Sequence, residues 1–444
     1  MAYIPNTDED RASMLTALGL NSLDELFAQI PQDLQLKGEL DIPSRLDQMS
    51  LARHLGALGR KNISAEDYPC FLGAGIYDHY VPPTVGAIIG RSEFYTAYTP
   101  YQPEMSQGML QTIYEFQTLI AELTGMDVAN ASMYDAATAL AEAAIMARDL
   151  TSRNTVLVLG TVSSHYTDVL QTYADHSGIV ISSLQGEGGI VSADAVKAAL
   201  TPETAAVIVQ QPNFYGNLED IEAIFRATHE AGALAIASVD PVSLGLLTPP
   251  GHYGADIVVG EGQGLGCPMG FGGPMLGLFA CRSEFMRRLP GRIVGETKDI
   301  DGKRAYVMTL RTREQDIRRE RATSNICTNE ALYALAATVY LATMGKQGLR
   351  GVAELSLQKA HYAAEQIATV PGFELMYPEA PFFKEFAVKT SKSPEAINET
   401  LLEQGIIGGL PISTPDQDHG LLFCVTEQRT KQDIDRLVEV LKSA

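Results

Sequence analysis

Apolar positions between residues 105 and 123 recur every three or four residues: Met105, Met109, Ile113, Phe116, Ile120 and Leu123. This period predicts an amphipathic helix, and Gly125 supplies its stop. A second helix is expected from about Ala136 to Leu150, where alanines let another backbone approach closely. The pattern then changes. Short β-rich apolar runs stand at Thr155–Leu159, Ile179–Leu184, Ala205–Gln210, Leu234–Val239, Ile257–Val259 and Leu276–Ala280. Helical segments such as Ala193–Leu200 and Glu219–Ala231 separate several of them. Apolar strands alternating with helices predict a mostly parallel sheet covered on both faces, with ligand sites at the carboxyl ends of its strands.

The flanks read differently. Residues 1 to about 60 are expected to be helical, with Ser22-Leu23-Asp24-Glu25 as a capping box before Leu26 and Phe27. This stretch reads as an arm that packs on another surface. From about residue 330 a long alanine- and leucine-rich helix runs from Asn329 towards Met344. Strands follow near Phe383–Val388 and at Leu421–Val425, and then a last helix, capped by Thr430 and Asp433, with Ile434, Leu437, Val438 and Leu441 on one face. The expected architecture is α/β: a helical N-terminal arm (1–60), a large, mostly parallel sheet domain (61–330) and a small C-terminal α/β domain (331–444).

Composition narrows the function classes. The 444 residues carry a net charge of -21, which argues against nucleic acid and against an anionic membrane surface as partners. The start, Met1-Ala2-Tyr3-Ile4-Pro5 followed by Asp8-Glu9-Asp10, has neither the basic region nor the apolar run of a signal peptide. Five scattered cysteines without a CxxC pair, and histidines without HxH or HxxxH spacing, give no support to a disulfide framework or a metal site. The expected location is cytoplasmic. A Gly/Pro/Tyr-rich stretch from Tyr68 to Gln107 has loop chemistry, and a loop of this length inside a compact domain is usually functional or an interface.

Candidate chemistry lies at two strand ends. Asp240 follows the run Leu234–Val239; it is either a site carboxylate or an ordinary turn acid before Pro241. One strand later comes the glycine-rich run Gly260-Glu-Gly-Gln-Gly-Leu-Gly-Cys-Pro-Met-Gly-Phe-Gly-Gly-Pro274, which lacks the ending of a P-loop. The order of domains and these motifs resemble the fold-type-I pyridoxal-phosphate (PLP) enzymes. The resemblance implies that Asp240 would hold the cofactor's pyridine nitrogen protonated, and that a tethering lysine would stand just before the glycine-rich run. Gln263 stands there instead, and an amide nitrogen forms no Schiff base. Between Lys61 and Lys298 the single lysine is Lys197, in a helical run. Lys298 lies in the polar stretch Glu296–Lys303, which reads as an exposed loop.

Three segments are more specific: Tyr98-Thr-Pro-Tyr-Gln-Pro-Glu104, Ala131-Ser-Met-Tyr-Asp-Ala-Ala-Thr-Ala-Leu-Ala-Glu142 and Arg318-Arg-Glu-Arg-Ala-Thr-Ser-Asn-Ile-Cys-Thr-Asn329. They resemble the P-protein of the glycine cleavage system, and the likeness covers essentially the whole chain. The length is that of the alpha subunit of the two-subunit form. The resemblance implies a glycine dehydrogenase (decarboxylating) that acts with a homologous beta subunit in an α2β2 assembly. PLP and its lysine would be on the beta subunit, with no cofactor covalently bound to this chain. Carbon dioxide would leave from glycine, and the aminomethyl group would pass to the lipoyl arm of the H-protein.

On that reading this chain is a degenerate copy that completes a shared active site. Tyr98, Tyr101, Gln102 and Glu104 are the first candidates to reach it, with a subunit interface as their other explanation. His165, after a strand, is a further candidate, and a hydrogen-bonded structural histidine is the alternative. Tyr134, Asp135, Asp240 and Gln263 would mark a vestigial cofactor pocket. Asp135, at the start of the alanine-rich helix, would repel a phosphate unless it caps that helix, so an emptied pocket is expected. Two other functions stay open: a scaffold that only stabilises its partner, and an independent PLP enzyme using an atypical lysine such as Lys298.

Overall fold

The computed structural model describes residues 5–413 and 419–443, so the opening residues Met1–Ile4 lie outside the described residues. It divides into two compact units, 1–63 and 64–444. The first unit holds helices Asp8–Leu18 and Gln48–Gly59, neither of which buries a side chain. Its predicted capping box at Ser22 does not form. Glu25 instead accepts a hydrogen bond from the Asn21 N–H (3.2 Å), and the segment makes a single five-residue 3₁₀ turn, Leu23–Phe27.

The second unit is built on a seven-stranded sheet. Its strands are β1 (Val128–Ala129), β2 (Thr155–Leu159), β3 (Val180–Leu184), β4 (Thr204–Gln211), β5 (Leu234–Val239), β6 (Ile257–Glu261) and β7 (Gly277–Cys281). Their order is β1-β7-β6-β5-β4-β2-β3. β2 through β6 pair in parallel, and β7 runs antiparallel to both β6 and β1. β4, β5 and β6 are buried almost throughout, which is why they read as continuous apolar runs. The helices Gln107–Thr124 and Ala136–Thr151 cover the sheet at the predicted places, the first ended by Gly125 in the left-handed conformation (φ 69°).

A hairpin of β8 (Ile293–Lys298) and β9 (Arg304–Thr309) follows. Lys298 thus ends a strand paired with Arg304, where a loop was expected, but it is exposed as expected. The helix Ala331–Ile367 is broken at Gly345, one residue past the predicted end. Beyond it, β10 (Phe373–Leu375), β11 (Glu385–Thr390), β12 (Leu410–Ser413) and β13 (His419–Cys424) form a four-stranded antiparallel sheet with a core of its own. Phe71 packs in that core and Cys70 bridges to Ile407, so this earlier segment belongs with the second sheet.

The two sheets meet closely. A Cβ on Gly216 (φ 86°) would lie 1.9 Å from the carbonyl oxygen of Glu385, so only glycine lets the turn after β4 touch the start of β11. This contact brings the front of β11 over the carboxyl ends of β4, β5 and β6.

Candidate functional site

At those strand ends lies a cavity of about 20 Å³, lined by Gly75, Tyr77, Tyr166, Asp240, Glu261, Lys384 and Glu385 among others. Such a volume holds about one water-sized sphere. Lys384 fills the place. It is 1% exposed, and its Nζ lies 2.8 Å from Asp240 Oδ2, 2.9 Å from His79 Nε2 and 3.4 Å from the centroid of the Tyr77 ring. An ammonium only donates, so His79 Nε2 accepts and the imidazole proton sits on Nδ1. That nitrogen donates to Glu427 Oε2 at 2.6 Å. Burial works against the charge on Glu427, yet this bond and the Tyr80 N–H hold its carboxyl below the ordinary value.

Next to Lys384, Glu385 accepts from the Ala74 N–H (2.6 Å) and the Tyr77 hydroxyl (2.8 Å). Burial nevertheless raises Glu385 to about 7. The Tyr77 hydroxyl is pushed well up by burial and then by the neighbouring Glu385 and Asp240.

Gln263 stands just past β6 and is 2% exposed. Its Oε1 accepts from the Tyr77 N–H (2.9 Å), and its Nε2 donates to the carbonyls of Tyr77 (3.1 Å) and Cys267 (2.7 Å). Both senses of bond are needed, so an amide fits where an ammonium does not. The amino end of helix Ala136–Thr151 is occupied too. Asp135 accepts from the Thr138 N–H (2.7 Å) in a capping box, and Glu261 accepts from the Ala136 N–H (3.1 Å). Burial raises Glu261 to about 7, although the amides of Leu276, Ala136 and Gln263 oppose the shift.

The model of the glycine cleavage system P-protein family matches residues 1–441. The chain belongs to the P-protein family. It is 54% identical over 440 residues to the probable glycine dehydrogenase (decarboxylating) subunit 1 of Desulfitobacterium hafniense, covering 99% of this chain and 98% of that protein. It is 53% identical to the protein of the same description in Chlorobium phaeobacteroides, covering 99% of each. A crystal structure of glycine decarboxylase (P-protein) in inhibitor-bound form superposes over all of both chains, with a TM-score of 0.93 and 46% identity. A C-DES mutant with glycine covalently linked to its PLP cofactor shares the fold alone (TM-score 0.62, 15% identity, 86% of this chain and 99% of that chain). The fold is thus the fold-type-I one of PLP enzymes.

The pocket of this P-protein chain does not fit the cofactor. The amine is absent at Gln263, the helix amides are taken by carboxylates, Asp240 already has a cation, and about 20 Å³ is left. The expectation of an emptied pocket is therefore corrected: side chains of the chain itself fill it. Counting lysines only from Lys61 to Lys298 overlooked Lys384. Its signal was a lysine inside the apolar run Phe382-Phe383-Lys384-Glu385-Phe386. Tyr77 was missed as a site residue as well, although it lies in the stretch read as a functional or interface loop.

The other expected residues lie elsewhere. Among the four vestigial-pocket residues, Asp240 lines the cavity, Gln263 stands beside it through its bonds to the lining residue Tyr77, and Asp135 caps helix Ala136–Thr151. Tyr134 does not line the cavity, and its hydroxyl accepts from the Cys327 N–H (3.2 Å). His165 is exposed on the first turn of helix Ser164–Ser177, while the next residue, Tyr166, lines the cavity. Tyr98, Gln102 and Glu104 are exposed and away from it. Tyr101 is anchored within the chain: its hydroxyl accepts from Arg292 Nη2 (2.7 Å), and Arg292 and Arg311 each stand 5.2 Å from its ring centroid.

Proposed function

We propose that this chain is the subunit of a glycine decarboxylase that completes a PLP site held on a homologous beta subunit. The observation that carries the reading is the residue at the tether position: Gln263 is a buried amide with three satisfied hydrogen bonds, in a chain of the P-protein family. With the beta subunit, in an α2β2 assembly, the complex releases the carboxyl group of glycine as carbon dioxide. It passes the aminomethyl group to the lipoyl arm of the H-protein. PLP on the partner supplies the electron sink for that loss.

This chain supplies side chains and surface. Tyr98, Gln102 and Glu104 stand exposed on a segment whose base is pinned by the Tyr101–Arg292 bond. An anchored base with free polar groups beside it suits a loop that reaches a neighbour's site. His165 is a second exposed candidate. The apolar residues of the N-terminal arm, such as Leu36, Ile42 and Met49, are exposed and would be covered by the partner. Five cysteines, all free, suit the reducing cytoplasm. Among the described residues no helix is long and apolar enough to cross a membrane.

The test is exchange of the glycine carboxyl with labelled bicarbonate, using beta subunit and H-protein with and without this chain. Exchange is expected only when this chain is present. Full exchange by the beta subunit alone overturns the reading. Complexes carrying Tyr98→Phe, Gln102→Ala or Glu104→Ala that assemble and turn over normally, all three, reduce the chain to a scaffold.

A further inference from the structure

The filled pocket has a pattern. Three polar features that a fold-type-I site directs at its cofactor are engaged by groups of this chain. The acid at the end of β5, Asp240, faces an N–H cation, as it would face a protonated ring nitrogen. The first-turn amides of helix Ala136–Thr151 face the carboxylates of Glu261 and Asp135, as they would face a phosphate. The tether position holds an amide bonded to the Tyr77 backbone.

We propose that Lys384 is a built-in replacement for the cofactor's ring nitrogen, and that its pair with Asp240 clamps the second sheet onto the strand ends of the first. The geometry supports both halves. Lys384 immediately precedes β11 and Asp240 immediately follows β5, so the 2.8 Å pair joins the two sheets directly. The ammonium is enclosed by Asp240 after β5 and by His79 and the face of Tyr77, which come from one segment before the first helix of the sheet domain. Such a site suits a small cation and no other charge. The chain then keeps one fixed closed form, with no ligand required, and offers its partner a rigid surface.

This inference deepens the proposed function, because it presumes that the cofactor resides on the partner. Its test therefore reads the stability of this full chain and no activity, so the two readings fail separately. Lys384→Ala removes the segment from Cγ to Nζ, which n-propylammonium matches in length and charge. Urea unfolding of wild type and variant is followed with n-propylammonium chloride and with sodium chloride at equal ionic strength. The variant's unfolding constant is expected to rise roughly a hundredfold or more, as when one partner of a buried pair is removed. Propylammonium is expected to raise the variant's midpoint and leave the wild type's unchanged. No rise in a folded variant, or an equal rise in both proteins, overturns the proposal. If Lys384→Ala does not fold, Asp240→Asn with Lys384→Met is used, since it removes both charges. A folded double variant that is more stable than Lys384→Met alone supports the clamp, and a double variant no better than the single one overturns it.

Discussion

Restoring a lysine at the tether position is expected to weaken the chain and bind nothing. In Gln263→Lys the ammonium can still donate to the carbonyls of Tyr77 and Cys267, but the Tyr77 N–H loses the acceptor it has at 2.9 Å. An orphaned buried N–H costs about 1–3 kcal/mol. Placing a charge at a site only 2% exposed adds several kcal/mol of desolvation, partly offset by the two carbonyls. A net loss of roughly 3 kcal/mol follows, or more than a hundredfold in the unfolding constant. Gln263→Met removes the hydrogen bonds without adding a charge, so the difference between the two variants reads the cost of burying the ammonium. The assay is urea unfolding of the full chain, together with a visible spectrum after mixing with PLP and removal of excess. The cavity of about 20 Å³ leaves no room for the cofactor, so the variant should stay colourless. A Gln263→Lys chain as stable as wild type, with a stoichiometric yellow adduct, would refute the reasoning.

Other tests follow from the same structure. Burial raises Glu142 to about 7 from 4.5, against one hydrogen bond from Ser324. The folded chain therefore holds this proton more tightly than the unfolded one, and the stability it gives is full below about pH 4.5 and lost as pH rises through 7. Glu142→Gln keeps an acceptor for Ser324 and should stabilise the chain at pH 8 by roughly 1–3 kcal/mol, with little effect at pH 5, in urea titrations at both values. Gly216→Ala should prevent the two sheets from docking, because its Cβ would meet the Glu385 carbonyl at 1.9 Å; soluble yield and near-UV circular dichroism read the loss. Lys298→Ala, exposed at the end of β8, should leave activity of the complex unchanged and stability within about 0.5 kcal/mol. Tyr101→Phe removes a bond from a charged donor and should cost about 1.5–3 kcal/mol in urea unfolding.

The central sheet was legible because β2, β4, β5 and β6 are runs of buried apolar residues long enough to stand out from the helices between them. The reversal of β7 was not, since an antiparallel buried strand has the same composition as a parallel one. β1 has two residues and β8 runs from buried to exposed along its length, so neither leaves a clear period. In the site, Gln263 and Asp240 were legible because both follow apolar strands. Lys384 was not. Phe383-Lys384-Glu385-Phe386 puts two adjacent charges, one on each strand face, so neither residue reads as buried, and only the approach of Gly216 to Glu385 turns this segment inward over Asp240. The Ser22 box failed for a local reason: Glu25 bonds Asn21, and no α-helix follows for Ser22 to cap.

The central claim is that the chemistry is tethered on the partner while this chain completes the site. Borohydride reduction of the active complex with glycine absent, followed by peptide mapping, tests it most directly. The account predicts one reduced PLP adduct on a beta-subunit lysine and none on this chain. A stoichiometric adduct on Lys197, Lys298, Lys384 or any other lysine of this chain would contradict it.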